Sequence, residues 1–102
     1  MNELRVLLAN QIKWSKKTFG DGLRTLGIAR HIEKELEEVR ANPEDLSEWI
    51  DIILLAMDGY WRHGGTPQTL FKHLAEKQQK NFLRAYPFPV SQDLPSEHIK
   101  NV

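Results

Sequence analysis

The chain has 102 residues, with 14 acidic and 14 basic side chains and no cysteine. That length holds one domain, and without cysteine there is no disulfide framework, thiolate metal site or thiol nucleophile. Balanced charge leaves no global field favouring a nucleic-acid polymer or an anionic membrane. No run approaches the roughly 18 consecutive apolar residues of a membrane span, and the N-terminus lacks a secretory pattern. The expectation is therefore a cytoplasmic protein.

The apolar periodicity is helical throughout, and no period-2 run suggests a strand. The spacing predicts a first helix over residues 3–17, striped by Leu4, Leu7, Leu8, Gln11 and Ile12. "TFGDG" ends it, with two glycines in three residues. A second helix is expected over 26–41 with Thr25 as N-cap and a stripe of Ile28, Ile32, Leu36 and Val39. In "NPEDL", Asn42 caps a third helix, Pro43 opens it, and it runs to Arg62 before Gly64-Gly65. In "TPQTL", Thr66 caps and Pro67 opens a fourth helix, which runs to Arg84. The fold class expected is all-α: a four-helix domain over residues 1–87, with 88–102 an extended, proline-bearing C-terminal arm. The third helix is apolar nearly all round, from Leu46 and Trp49 to Met57. One chain has little with which to cover it, so a homo-oligomer is expected.

Charge is segregated beneath the neutral total. Residues 33–58 hold nine acids against two bases, and residues 72–84 hold Lys72, Lys77, Lys80 and Arg84 against Glu76 alone. Glu35 and Glu38 share one spacing on the second helix, and Glu48 and Asp51 share it on the third. Three residues on a helix bring two side chains within about 60° of each other. Across the short Asn42-Pro43 turn, the first pair lies about 6–11 Å back and the second about 9–14 Å forward. The pairs therefore meet at similar heights on antiparallel neighbours. Four carboxylates so placed repel unless cations sit among them. An oxygen-only set suits Mg²⁺ or Mn²⁺, ions that also bridge to phosphates. An ExxE pair alone is more often a solvated face, the reading given to Glu33 and Glu37. The second pair, on a mostly apolar helix, shifts the balance to function. Asp58, two turns past Asp51, is either an outer ligand or base, or a polar residue at a helix end.

"KELEEV" followed by "SEWIDIILLAMD" resembles the ExxE…ExxD signature of the MazG-like all-α nucleoside triphosphate pyrophosphohydrolases. The likeness is closer to their small dATP/dGTP diphosphohydrolase branch, through "TFGDGLRTLGIARHIEKELEEV", "PEDLSEWIDIILLAMDGYWRHG" and "KQQKNFLRAYP". It covers residues 14–87. It implies a helical dimer or tetramer, and Mg²⁺ (with Mn²⁺ able to substitute) held by Glu35, Glu38, Glu48 and Asp51. The implied reaction is attack of water on a purine deoxynucleoside triphosphate, releasing the monophosphate and pyrophosphate, in a bacterial or phage-infected cytoplasm. Tyr86-Pro87 stands where the family pattern usually has Trp-Pro.

Phosphoryl chemistry also needs cations for the oxygens that the metal does not hold. Lys77, Asn81 and Arg84 lie along one side of the fourth helix and match the family's KxxxNxxR element, which selects them for the substrate. Trp14 and Phe19, flanking "SKKT", either pack in the core or stack on a nucleobase. Arg24 either contacts phosphate or pairs with an acid of the second helix. His31, one turn before Glu35, either orients a carboxylate or substrate, or bonds at the edge of the core. Two other readings compete with the purine hydrolase: a dUTPase-like pyrimidine nucleotide hydrolase, and a non-catalytic helical module whose acids bind a cation for structure.

Overall fold

The computed structural model describes residues 3–89 and 91–99. Among the described residues there are four helices: α1 (Glu3–Phe19), α2 (Thr25–Ala41), α3 (Leu46–Arg62) and α4 (Leu70–Leu83). No strand occurs among the described residues, and no helix there is long and apolar enough to cross a membrane. The chain divides into two compact units between Phe71 and Lys72.

In the first unit α3 packs against both α1 and α2. Its core is Leu8, Met57 and Leu70, with Leu4, Ile12, Leu54, Tyr60 and Trp61 packed around them. Leu8 is wholly buried; truncating such a leucine to alanine costs about 2–5 kcal/mol. α2 and α3 run antiparallel, since Glu35 meets Asp51 at one end and Ile28 meets Gly59 at the other.

The helix ends differ from the sequence reading in instructive ways. α1 continues to Phe19 and closes on Gly20, whose φ of 84° is open to glycine and whose N–H donates to the Lys16 carbonyl at 2.9 Å. Thr25 does not cap α2. Arg24 takes the cap position in a left-handed conformation, and the Thr25 hydroxyl bonds the His63 ring instead, at 2.8 Å. Asn42 and Pro43 form a turn before α3, so the cap falls to Asp45. Its carboxylate accepts from the Ser47 N–H at 3.1 Å and the Ser47 hydroxyl at 2.6 Å. Thr66 likewise closes a turn with Thr69, and α4 begins only at Leu70. In both places proline's fixed φ suits a turn as well as a helical opening.

The second unit holds most of α4 and the C-terminal segment. The segment expected to be extended turns back: the Ile99 N–H donates to the Ala85 carbonyl, and the His98 ring meets Tyr86 edge-on at 6.1 Å. Val90 and residues 100–102 of that segment lie outside the described residues.

Candidate active site

The antiparallel pairing of α2 and α3 gathers acids at one end. Oxygens of Glu35, Glu48 and Asp51 all lie within 4.8 Å of one another. Glu35 and Glu48 are half-buried and Asp51 is exposed. Glu38 is exposed and stands outside this group, although its charge acts on Glu48. Partial burial, and then the charges of Asp45, Glu38, Asp51 and Glu35, hold the Glu48 carboxyl above its ordinary range. The donor set fits a hard divalent cation. Glu35, Glu48 and Asp51 would hold such an ion through carboxylate oxygens, the ligands that hard cations take.

From these acids a cavity of about 490 Å³ opens between α1, α2 and α3. Trp14, Phe19, Arg24, His31, Glu35 and Asp51 all line it. Trp14 and Phe19 meet edge to face, centroids 5.6 Å apart, and each remains about half exposed rather than sealed in the core. The Arg24 guanidinium lies 4.3 Å over the Phe19 ring. The left-handed backbone at Arg24 costs a non-glycine residue about 1–2 kcal/mol; a cation–π contact returns about 0.5–1 kcal/mol of that. His31 places Nε2 3.2 Å from Glu35 Oε1 and so steadies that carboxylate in the cavity wall.

The far end of the cavity is built differently. Asp58 lines it but is buried, and Trp61 Nε1 donates to one of its oxygens at 2.7 Å and Arg62 Nε to the other at 3.2 Å. Burial alone pushes the Asp58 carboxyl up. Hydrogen bonds from Ser15, Trp61 and Arg62, together with the Arg62 charge, outweigh it and leave the group below its ordinary range. Arg62 has a fully buried side chain. Its remaining N–H groups donate to the carbonyls of Gly20 at 2.9 Å and Gly22 at 2.5 Å, and to the Ser15 hydroxyl at 2.8 Å. One guanidinium thus ties the end of α3 to the end of α1, which carries Phe19, and to the turn that follows it. Asp58 is neither an outer ligand nor a loose helix-end residue; it is the counter-ion of this clasp.

Lys77, Asn81 and Arg84 lie on or just beyond α4 in the second unit, where Asn81 is half-buried and the other two are exposed. A family model described as dATP/dGTP pyrophosphohydrolase matches residues 7–102. The chain belongs to the dATP/dGTP pyrophosphohydrolase family. It is an enzyme, a nucleoside triphosphate pyrophosphohydrolase. No curated protein and no solved structure matches the chain.

Three residues around the cavity of this pyrophosphohydrolase escaped the sequence reading. Ser15 is small and polar within "WSKKT", with no signal that it is wholly buried. Arg62 sits at a helix end, where a basic residue is ordinary; its i, i+4 spacing from Asp58 was the available clue. Gln11 counts in the sequence only as a member of the α1 stripe, yet it lines the cavity.

Proposed function

We infer that the protein hydrolyses dATP and dGTP to the nucleoside monophosphate and pyrophosphate, using Mg²⁺, with Mn²⁺ able to replace it. The single observation that carries this reading is the joining of two features in one cavity of the first unit. Glu35 and Asp51, two members of the oxygen-only acid group, line the same 490 Å³ space as an exposed aromatic pair. A structural cation site has no use for the second feature.

Glu35, Glu48 and Asp51 would hold the ion, with Glu38 joining by rotation from the neighbouring turn of α2. Bound there, the ion supplies a Lewis acid for phosphate oxygens and lowers the pKa of a coordinated water. The chain's own side chains do the rest. Trp14 and Phe19 offer faces to the base. Arg24, pre-set by its stacking on Phe19, offers a guanidinium to phosphate. His31 holds Glu35 in one orientation. Lys77, Asn81 and Arg84, in the second unit, are assigned to the substrate by their match to the KxxxNxxR element alone.

Residues 1–87 form the catalytic domain in this reading and 88–102 an appended tail. The working form is a homodimer or homotetramer in the cytoplasm. Support for assembly comes from α3: Leu46, Trp49, Ile50 and Ile53, at i, i+3, i+4 and i+7 on one helix face, leave between 48% and 74% of their surface exposed.

Release of pyrophosphate from a panel of dATP, dGTP, dCTP, dTTP and dUTP, with Mg²⁺ and then with excess EDTA, tests the reading. Turnover of the two purines that EDTA abolishes is the expected result. Preference for dUTP transfers the protein to the pyrimidine hydrolases, and silence towards every nucleotide leaves only a cation-binding module.

A further inference from the structure

Gln11 stands on the cavity wall with an amide that no other described residue uses. It is half-buried, and its side chain makes no hydrogen bond among the described residues. It lies three residues before Trp14, so the two project from one face of α1. Elsewhere the same stripe is filled by Leu4, Leu8 and Ile12, all packed in or against the core. A ligand that fills the cavity takes water away from this amide, and a buried polar group left unmatched costs about 1–3 kcal/mol. A well-fitting ligand must therefore bring both an acceptor and a donor to Gln11.

We propose that Gln11 reads the six-position edge of the purine and that its amide flips to accept adenine and guanine equally. This rests on the hydrolysis of dATP and dGTP inferred above. Adenine presents a donor, the N6 amino group, beside an acceptor, N1. Guanine presents the reverse, the O6 acceptor beside the N1–H donor. A carboxylate only accepts and an ammonium or guanidinium only donates, so each suits one base better than the other. A primary amide carries one of each on a single plane. Turning it by 180° exchanges them, and the terminal torsion of glutamine is broad and roughly two-fold, so the turn costs little. Facing adenine, the Gln11 oxygen accepts from N6 and its NH₂ donates to N1. Facing guanine, the NH₂ donates to O6 and the oxygen accepts from N1–H. The edge-to-face arrangement of Trp14 and Phe19 beside it supplies apolar contact blind to the six-substituent. A site so composed takes both purines by design rather than by laxity.

The test compares kcat/KM for dATP, dGTP and the 2′-deoxynucleoside triphosphate of unsubstituted purine, which has no group at position six. The wild-type enzyme should turn over the first two within a few-fold of each other and the third several-fold more slowly. That comparison needs no variant. Gln11→Leu, close in volume, should slow dATP and dGTP each by roughly ten- to hundredfold and bring all three substrates level. Thermal unfolding of the variant monitors its fold. Three results overturn the proposal: a wild type indifferent to the missing six-substituent, a variant that slows all three substrates by one common factor, or a variant that slows only one of the natural purines. A wild type that hydrolyses neither dATP nor dGTP overturns the activity itself, and is recognised as such before any variant is made.

Discussion

Asp51 and Asp58 sit two turns apart on α3 and line the same cavity, yet they belong to opposite kinds of environment. Around Asp51 the neighbours are other carboxylates, and the crowding lifts Glu48 above its ordinary range. Around Asp58 the neighbours are donors, Ser15, Trp61 and Arg62, and the carboxyl is held low. The first cluster could hold a cation from solution. The second is completed by the protein itself. A helix can thus carry two acids at heptad spacing for unrelated reasons: like charges gathered at a cavity mark a place for a ligand, and a buried acid with every oxygen answered marks a structural joint.

The clasp should give the largest response. Arg62→Met leaves Asp58 buried without its counter-ion and frees the carbonyls of Gly20 and Gly22, so the loss of stability should be about 3–5 kcal/mol. Chemical denaturation measures it, and a loss below about 1 kcal/mol would place this pair with surface ion pairs. At the other end the sign divides between function and folding. Asp51→Asn should lower kcat at least about 100-fold while leaving the metal-free protein as stable as before or more so, because a repelling charge is gone. Paired turnover and melting experiments check this; near-native activity, or an unfolded variant, breaks the contrast with Asp58.

Acid titration separates the ends further. The Asp58 carboxyl is depressed, so its contribution to stability is present above its unfolded value of 3.8 and is lost as pH falls through the lower folded value. Unfolding curves of wild type and Asp58→Asn should therefore stay apart at neutral and mildly acidic pH, and converge only below about 3.8. The Glu48 carboxyl is raised, so without metal the folded state holds more protons than the unfolded one just above 4.5, and stability falls as pH rises through that window. The smallest effect comes from this group. Glu48→Gln should flatten that slope and stabilise the metal-free protein slightly at neutral pH. Saturating Mg²⁺ should reverse the order of the two proteins, because only the wild type gains fully from the ion. If calorimetry finds the same order with and without Mg²⁺, Glu48 is not part of the cation site.

The pairing of the two acid motifs was readable before any coordinates, because helix rise and a short turn fix which heights on α2 and α3 face each other. The same arithmetic did not place Glu38, since facing the right height is not the same as turning inward, and the packing of α2 leaves Glu38 outside. By sequence Trp14, Phe19, Arg24 and His31 have two roles each; the structure brings all four into the lining of one cavity. The helix starts were misplaced wherever a proline could serve a turn as readily as a first helical residue.

By itself the sequence determined four helices, the chemistry of the acids and the family, because periodicity, spacing and residue type are local properties that survive without a fold. Tertiary structure alone decided the state of each polar group. Whether Asp58 meets Arg62 or a cation, whether Arg62 ends in solvent or in the carbonyls of a distant turn, and whether Gln11 faces a core or a cavity all depend on neighbours remote along the chain. The cost of burying charge and amide is set by those neighbours, which no pattern within a single helix contains.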